Sequence, residues 1–279
     1  VIILDHTPWY PEGGGQIGDR GNLFNDACKY SILDTQIQDD IIYHVVEGEG
    51  RLKVKDKVNI QVSKERYSTT RHHSVTHLLH AALKKVLGNH VGQQGSLVAP
   101  DKLRFDYNCE KAPSITQKNE IEQLVNDQIR SAKPVLIEMM SQDDAKKAGA
   151  ISMFGEKYPN EVRVLSMGDF SKELCGGTHV HNTSDIMVFK ILSDSSLSSG
   201  VRRIEAVAGY NAINLLSKKA DVLDSAKEVL NVSEENIVAK IQQLVNDKKQ
   251  LEKKIKHNTL PKNWLGPKSI GDFNCYIGR

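Results

Sequence analysis

Cysteine is scarce in this 279-residue chain: Cys28, Cys109, Cys175 and Cys275 are scattered along it. Their scatter excludes the dense disulfide framework of small secreted domains and points to a reducing, cytoplasmic setting. No apolar run approaches the roughly 20 residues of a membrane-spanning helix, so no membrane partner is expected. The opening Val1-Ile2-Ile3-Leu4-Asp5 has neither an initiator methionine nor the basic-then-apolar layout of a signal peptide. It reads as a core strand, and the chain as a piece of a longer protein. An excess of one charge is also missing, since 37 Lys and Arg face 35 Asp and Glu, giving +2. A nucleic acid would therefore have to be held by local basic clusters and not by a global positive field. The 39% of hydrophobic residues suffices for one or two globular domains with a core.

Residues 1–62 read as a small glycine-rich β-barrel or sheet, with strands at Val1–Leu4, Tyr30–Leu33, Ile41–Val46 and Val58–Val62. Helical spacing then takes over. Val75, Leu78, Leu79, Ala82, Leu83 and Val86 form an apolar stripe that Gly88 ends as a C-cap, and His73, His77 and His80 fall on the opposite side. Strand character around Gly95 and Pro100 is followed by a second helix, from after Ser114-Ile115-Thr116 through Ile121, Leu124, Val125 and Ile129. Strands are expected at Val135–Met140, Val162–Met167, Ile186–Leu192 and Val201–Val207, making 63–209 an α+β core with a mixed or antiparallel sheet. Residues 210–258 change to long helices, broken near Ser233, with Ile237, Ile241, Leu244, Leu251 and Ile255 at four-three spacing and Lys248 in one seam slot. This predicts a helical hairpin or coiled-coil arm. Residues 259–279, with Trp264, Phe273 and Tyr276, begin a further domain. The fold class is α+β.

Two clusters carry the chemistry. His73-Ser74-Val75-Thr76-His77 places two imidazoles on one helix face, and Cys175-Gly176-Gly177-Thr178-His179 offers a thiolate and an imidazole. Together they supply the nitrogen and sulfur donors that zinc prefers. Gly176 and Gly177 disfavour a regular helix but allow a tight turn, so Cys175 and His179 can address one ion. His72, displaced by about 100° from His73, is the poorer ligand, whereas His80 shares the face and could support the shell or substitute in it. Four protein donors leave two mechanisms open: a filled structural tetrahedron, or a catalytic ion with one loose ligand or an expanded shell.

Gly13-Gly14-Gly15-Gln16-Ile17-Gly18 satisfies the G-x-G-x-x-G spacing of dinucleotide folds, but Asp19-Arg20-Gly21-Asn22 follows as a turn where that fingerprint demands a helix N-terminus. A glycine-rich hairpin remains, either structural or a loop whose bare backbone approaches a substrate. Gln93-Gln94-Gly95-Ser96 is an ordinary surface turn by composition.

His6-Thr7-Pro8-Trp9-Tyr10-Pro11-Glu12-Gly13-Gly14-Gly15-Gln16 with Gly18-Asp19 resembles the opening of the alanyl-tRNA synthetase editing domain. His73–His80, Gln93–Ser96, Leu103-Arg104-Phe105-Asp106, Cys175–Val180 and Gly200–Ala206 continue the likeness in order, across residues 1–209. The free-standing AlaX editing proteins share that core, and the helical arm resembles the family's connector to its C-terminal domain. The resemblance implies hydrolysis of seryl- or glycyl-tRNA(Ala), one Zn2+ per chain held by His73, His77, Cys175 and His179, and an editing role for Gln93. Thr76 joins Gln93 as a candidate for reading the serine hydroxyl, with capping or packing as its alternative. Gly14, Gly15 and Gln16 are candidates for substrate contact, and Arg202 and Arg203 for tRNA phosphates. A full-length parent would bind ATP, alanine and tRNA(Ala), with a homodimer through its C-terminal helical region as a further expectation; this stretch itself is not expected to charge tRNA. Three rivals stay open. One is a tRNA-binding module with a structural metal, another a free-standing AlaX-type trans-editing deacylase, and the third a threonyl-type editing domain using histidine as base without zinc, against which the triple glycine with Gln16 argues.

Overall fold

Val75, Leu78, Leu79, Ala82 and Leu83 lie on α1 (Glu65–Leu87), the longest helix among the described residues. In the computed structural model the described residues are 1–151, 159–258, 265–270 and 273–277, with backbone alone beyond Ile255. Gly88 ends α1 as its sequence suggests: its N–H bonds to the Lys84 carbonyl at a φ of 116°, a conformation L side chains rarely adopt. The apolar stripe packs on α2 (Ile115–Arg130) through Ile121, Val125 and Ile129, and on a four-stranded antiparallel sheet. That sheet runs β10-β11-β6-β5, formed by β5 (Gln93–Val98), β6 (Leu103–Asn108), β10 (Phe189–Ser198) and β11 (Val201–Ala208). Phe105, Tyr107, Ile204 and Ala206 are its buried contribution. The face of α1 opposite the stripe is enclosed as well, because every residue from His72 to His80 is buried. Polar side chains buried on that second face must find partners.

Residues before α1 form β1 (Gly21–Asn25), β2 (Cys28–Gln38), β3 (Ile41–Gly50) and β4 (Asn59–Val62) in the order β3-β2-β1-β4, all antiparallel, over a small core of Trp9, Leu23, Cys28 and Ile32. The expected β-barrel is corrected here to an open sheet: β4 pairs with β1 only, and four strands are too few to close on themselves. Val1–Leu4, expected as a strand, contributes a single bridge, Ile2 to His44.

A third antiparallel sheet, β7-β8-β9, joins β7 (Val135–Ser141), β8 (Glu161–Met167) and β9 (Ser171–Leu174), with the short α3 (Gln142–Lys147) after β7. The strand expected from Ile186 starts at Phe189 instead. Asn182 and Asp185 cap a 3-10 turn over Thr183–Ile186, and Met187 takes a φ of 75°, which breaks the extended run. The chain is thus α+β with antiparallel sheets.

The chain divides into two compact units, Val1–Leu215 and Leu216–Arg279. The helices α4 (Tyr210–Leu230) and α5 (Ile237–Asn258) are separated at Ser233 by one 3-10 turn, and β12 (Leu265–Ile270) pairs antiparallel with β13 (Phe273–Ile277). Ile241, Leu244, Leu251 and Ile255 of the α5 seam are exposed. Trp264 lies outside the described residues, as do the side chains of Phe273 and Tyr276. Among the described residues no helix is long and apolar enough to cross a membrane.

Candidate metal centre

The enclosed face of α1 meets the segment that leaves β9. There the donor atoms of His73, His77, Cys175 and His179 all lie within 4.8 Å of one another. Cys175 Sγ is 3.3 Å from His73 Nε2 and 3.2 Å from His179 Nε2. A tetrahedral ion with N ligands at about 2.0 Å and S at about 2.3 Å separates its donors by roughly 3.3–3.6 Å. The cluster is therefore spaced to hold a metal ion.

Tautomers decide the fit. Gln16 Oε1 accepts the Thr178 backbone N–H at 3.0 Å, which identifies that atom as the oxygen, so His73 Nδ1, 2.7 Å away, must donate to it. His77 Nδ1 donates to Glu173 Oε2 at 2.7 Å. Ser74 Oγ spends its proton on the Thr70 carbonyl and accepts from Val180 N–H, so it also accepts from His179 Nδ1 at 3.3 Å. All three rings thus carry a proton on Nδ1, anchored on oxygen, and turn Nε2 toward the shared point, as histidine ligands of metals do. His77 Nε2 is buried without a hydrogen-bond partner.

Charge agrees with this. Burial pushes the Cys175 thiol up, but His73 and His77 beside it outweigh that and hold it well below the ordinary thiol range. Burial likewise lowers His179, and His73 nearby lowers it further, to about 3, keeping it neutral. At His77 burial lowers the pKa, but the Glu173 carboxylate and the Cys175 thiolate outweigh it and raise it to about 10, so two buried anions draw positive charge to this point, which a divalent cation would supply in place of that proton.

Local structure explains how two remote segments meet. A Cβ on Gly177 would lie 2.0 Å from His73 Cε1, so only glycine lets the ligand loop pass the ring. Arg163 donates to the Cys175 and Gly177 carbonyls at 2.7 and 2.9 Å and fixes that loop. Glu173 and Arg163 brace the donor cluster, and motif reading placed neither of them there. Glu173 stands two residues before Cys175, in alternating strand register, and a buried carboxylate opposite a histidine-rich helix was the available signal.

A cavity of about 260 Å³ adjoins His73, Cys175 and Gly177 and is walled by Tyr10, Gly13 and Gly14. A second, of about 300 Å³, is lined by His80, Lys84, Gln93 and Glu173.

Residues 162–205 match the family described as the threonyl and alanyl tRNA synthetase second additional domain, and residues 1–66 match class II (A) tRNA synthetases. The alanine–tRNA ligase of Coxiella burnetii (strain Dugway 5J108-111) is 44% identical over 256 residues, which is 91% of this chain and 30% of that protein. Those of Haemophilus influenzae (strain 86-028NP) and Saccharophagus degradans are 47% identical over 257 residues and 48% over 258, again across 91% of this chain and 29% and 30% of theirs. Over this span the chain belongs to the alanyl-tRNA synthetase family. It covers about three-tenths of the length of the curated relatives it matches.

Within this synthetase segment the remaining site candidates separate. Gly14 walls the smaller cavity, whereas Gly15 turns against Ser96 and Gln16 reaches His73. Gln93 lines the larger cavity, its Nε2 3.1 Å from Ser96 Oγ. Thr76 donates to the His72 carbonyl at 2.7 Å, and His72 itself turns away to the Ala99 carbonyl. His80 shares Glu173 with His77 and is no part of the donor cluster. Arg202 and Arg203 are each paired with a carboxylate, Asp194 and Asp106 respectively.

Proposed function

We propose that this segment of an alanine–tRNA ligase hydrolyses the ester of seryl- or glycyl-tRNA(Ala), with zinc held by His73, His77, Cys175 and His179. The observation that carries the reading is the set of three imidazoles, each anchored at Nδ1 so that its Nε2 faces the point that the Cys175 thiolate shares. A donor set of three imidazole nitrogens and one thiolate sulfur suits zinc, and when bound it supplies Lewis-acid charge to an ester carbonyl. The protein's own residues do the rest. Gln16, Glu173 and Ser74 keep the rings oriented through their Nδ1 atoms, and the bare backbone of Gly13 and Gly14 leaves room for a substrate beside His73. Gln93 brings an amide to the second cavity, where it can read a hydroxyl, and Thr76 stands between the two histidine ligands. A pocket for alanine cannot strongly reject glycine, and serine adds only a hydroxyl, so a second polar sieve answers a real selectivity problem. In the intact ligase, ATP-driven charging of tRNA(Ala) with alanine would precede this step.

The test is deacylation by the purified chain: seryl- and glycyl-tRNA(Ala) lose their amino acid and alanyl-tRNA(Ala) does not. Full activity in a Cys175→Ala/His179→Ala double variant would remove the site assignment. One observation favours a second reading, a tRNA-binding module with a structural ion, because His73, His77 and Cys175 are all buried and four protein donors complete a tetrahedron. Chelation separates the two. A structural ion predicts loss of the circular dichroism signal, a catalytic one loss of turnover with the fold kept.

A further inference from the structure

The glycine hairpin does more than wall a cavity. Gly13 and Gln16 exchange both backbone hydrogen bonds at 3.0 Å around Gly14 and Gly15, whose φ values are 56° and 80°. Val98 N–H bonds to the Gly15 carbonyl at 2.7 Å and Ile17 N–H to the Val98 carbonyl at 3.2 Å, which clamps the hairpin to β5. A Cβ on Gly15 would fall 2.2 Å from Ser96 Oγ. The hairpin therefore delivers the Gln16 side chain, 0% exposed, into the metal cluster.

There its amide is used one-sidedly. Oε1 accepts three donors, His73 Nδ1 at 2.7 Å, Thr178 N at 3.0 Å and Thr178 Oγ1 at 3.1 Å, while the buried Nε2 has no partner. A glutamine kept only to fill the core would satisfy both ends. All of its bonding instead falls on one oxygen that ties the hairpin, α1 and the ligand loop together.

We propose that Gln16 is a positioning residue of the metal centre. Its oxygen fixes the tautomer and ring direction of His73, and through Thr178 it holds the loop that carries Cys175 and His179. The glycine hairpin is thus an outer support of the metal as well as a wall for substrate. This inference rests on the metal reading above, and wild-type protein tests that reading separately.

The isosteric Gln16→Glu exchange sacrifices no hydrogen bond, because Nε2 makes none, and it puts a charged acceptor on His73 Nδ1–H. Gln16→Met keeps the volume and removes the acceptor. Metal affinity by chelator competition and the visible spectrum of the Co2+-substituted protein are the readouts. We expect a 10- to 100-fold loss of affinity in the Met variant, affinity at or above wild type in the Glu variant, and shifted cobalt bands in both. Wild-type affinity in Gln16→Met, or losses of equal size in both variants, would overturn the proposal. Should the Met variant not fold, Gln16→Glu decides alone: unshifted bands and unchanged affinity would overturn it. Wild-type protein that takes up no metal would overturn the metal reading, and this inference with it.

Discussion

Glu173 Oε2 accepts the Nδ1–H of His77 at 2.7 Å, with both side chains about 5% exposed. The other oxygen takes His80 Nδ1 at 2.9 Å, so one carboxylate spans successive turns of α1. Burial pushes Glu173 up, but His77 and His80 outweigh it and hold the carboxyl down to about 2. Two buried histidines on one helix face would otherwise carry unpaired Nδ1–H groups into the core.

Glu173→Gln should cost the metal site 10- to 100-fold in affinity, the usual weight of a partner to a ligating histidine. The amide must set its NH2 against one of the two imidazole donors, which a carboxylate never does. Glu173→Ala should also lower folding stability by about 1–3 kcal/mol for each imidazole N–H left buried and unpaired. Chelator competition reads the first effect and urea unfolding the second; unchanged metal affinity in both variants would remove Glu173 from the site.

Gly177→Ala and Gly176→Ala form a matched pair. The first places a Cβ 2.0 Å from His73 Cε1 and 2.3 Å from its Nδ1, while at Gly176 nothing lies within 4 Å. Gly177→Ala should destabilise by about 1–3 kcal/mol, the range for overpacking a buried site, and should lose bound metal. Gly176→Ala should stay within about 0.5 kcal/mol of wild type. Thermal melts with elemental analysis of the purified proteins compare them directly.

Much of this arrangement was legible because it is local. The i, i+4 spacing of His73 and His77 needs only a helix, and the stripe from Val75 to Leu83 supplies one. The convergence of Cys175 and His179 on that helix followed from donor chemistry, although the segments are about a hundred residues apart. What stayed hidden depends on packing between elements. Glu173 looked like one of many acidic residues until β9 faced α1, and Gln16, a candidate for substrate contact in the sequence, reaches His73 only because β5 clamps its turn. The β-barrel failed for a related reason: strand spacing gives the number of strands but not whether the edges meet.

Arg202 shows how a basic residue proposed for phosphate contact can be spent inside the fold. Its guanidinium donates to Asp194 at 3.1 and 2.8 Å, and that carboxylate, 1% exposed, also accepts from Tyr107 Oη at 3.0 Å. Arg202→Ala strands a buried charge and should cost about 3–5 kcal/mol of stability. The affinity of the folded variant for tRNA should remain near wild type at permissive temperature. A large affinity loss with normal stability would instead return Arg202 to the RNA surface.

His44 supplies a pH dependence away from the donor cluster. Its Nδ1–H donates to the Ile2 carbonyl at 3.0 Å, so its Nε2 accepts from Thr7 Oγ1 at 3.0 Å, and this pins the first residues to β3. Burial is the main influence and lowers its pKa below 6.5, against a smaller opposing effect of the Ile2 hydrogen bond. Above pH 6.5 the imidazole is neutral in folded and unfolded chains alike, and its contribution is complete. As pH falls below 6.5 the unfolded chain takes up the proton first, so stability drains away until the folded-state pKa is passed. His44→Gln keeps an uncharged donor and acceptor without that titration. Urea unfolding at pH 7.5 and 5.5 should therefore show wild type losing more stability than the variant on acidification, and equal losses would mean that His44 titrates alike in both states.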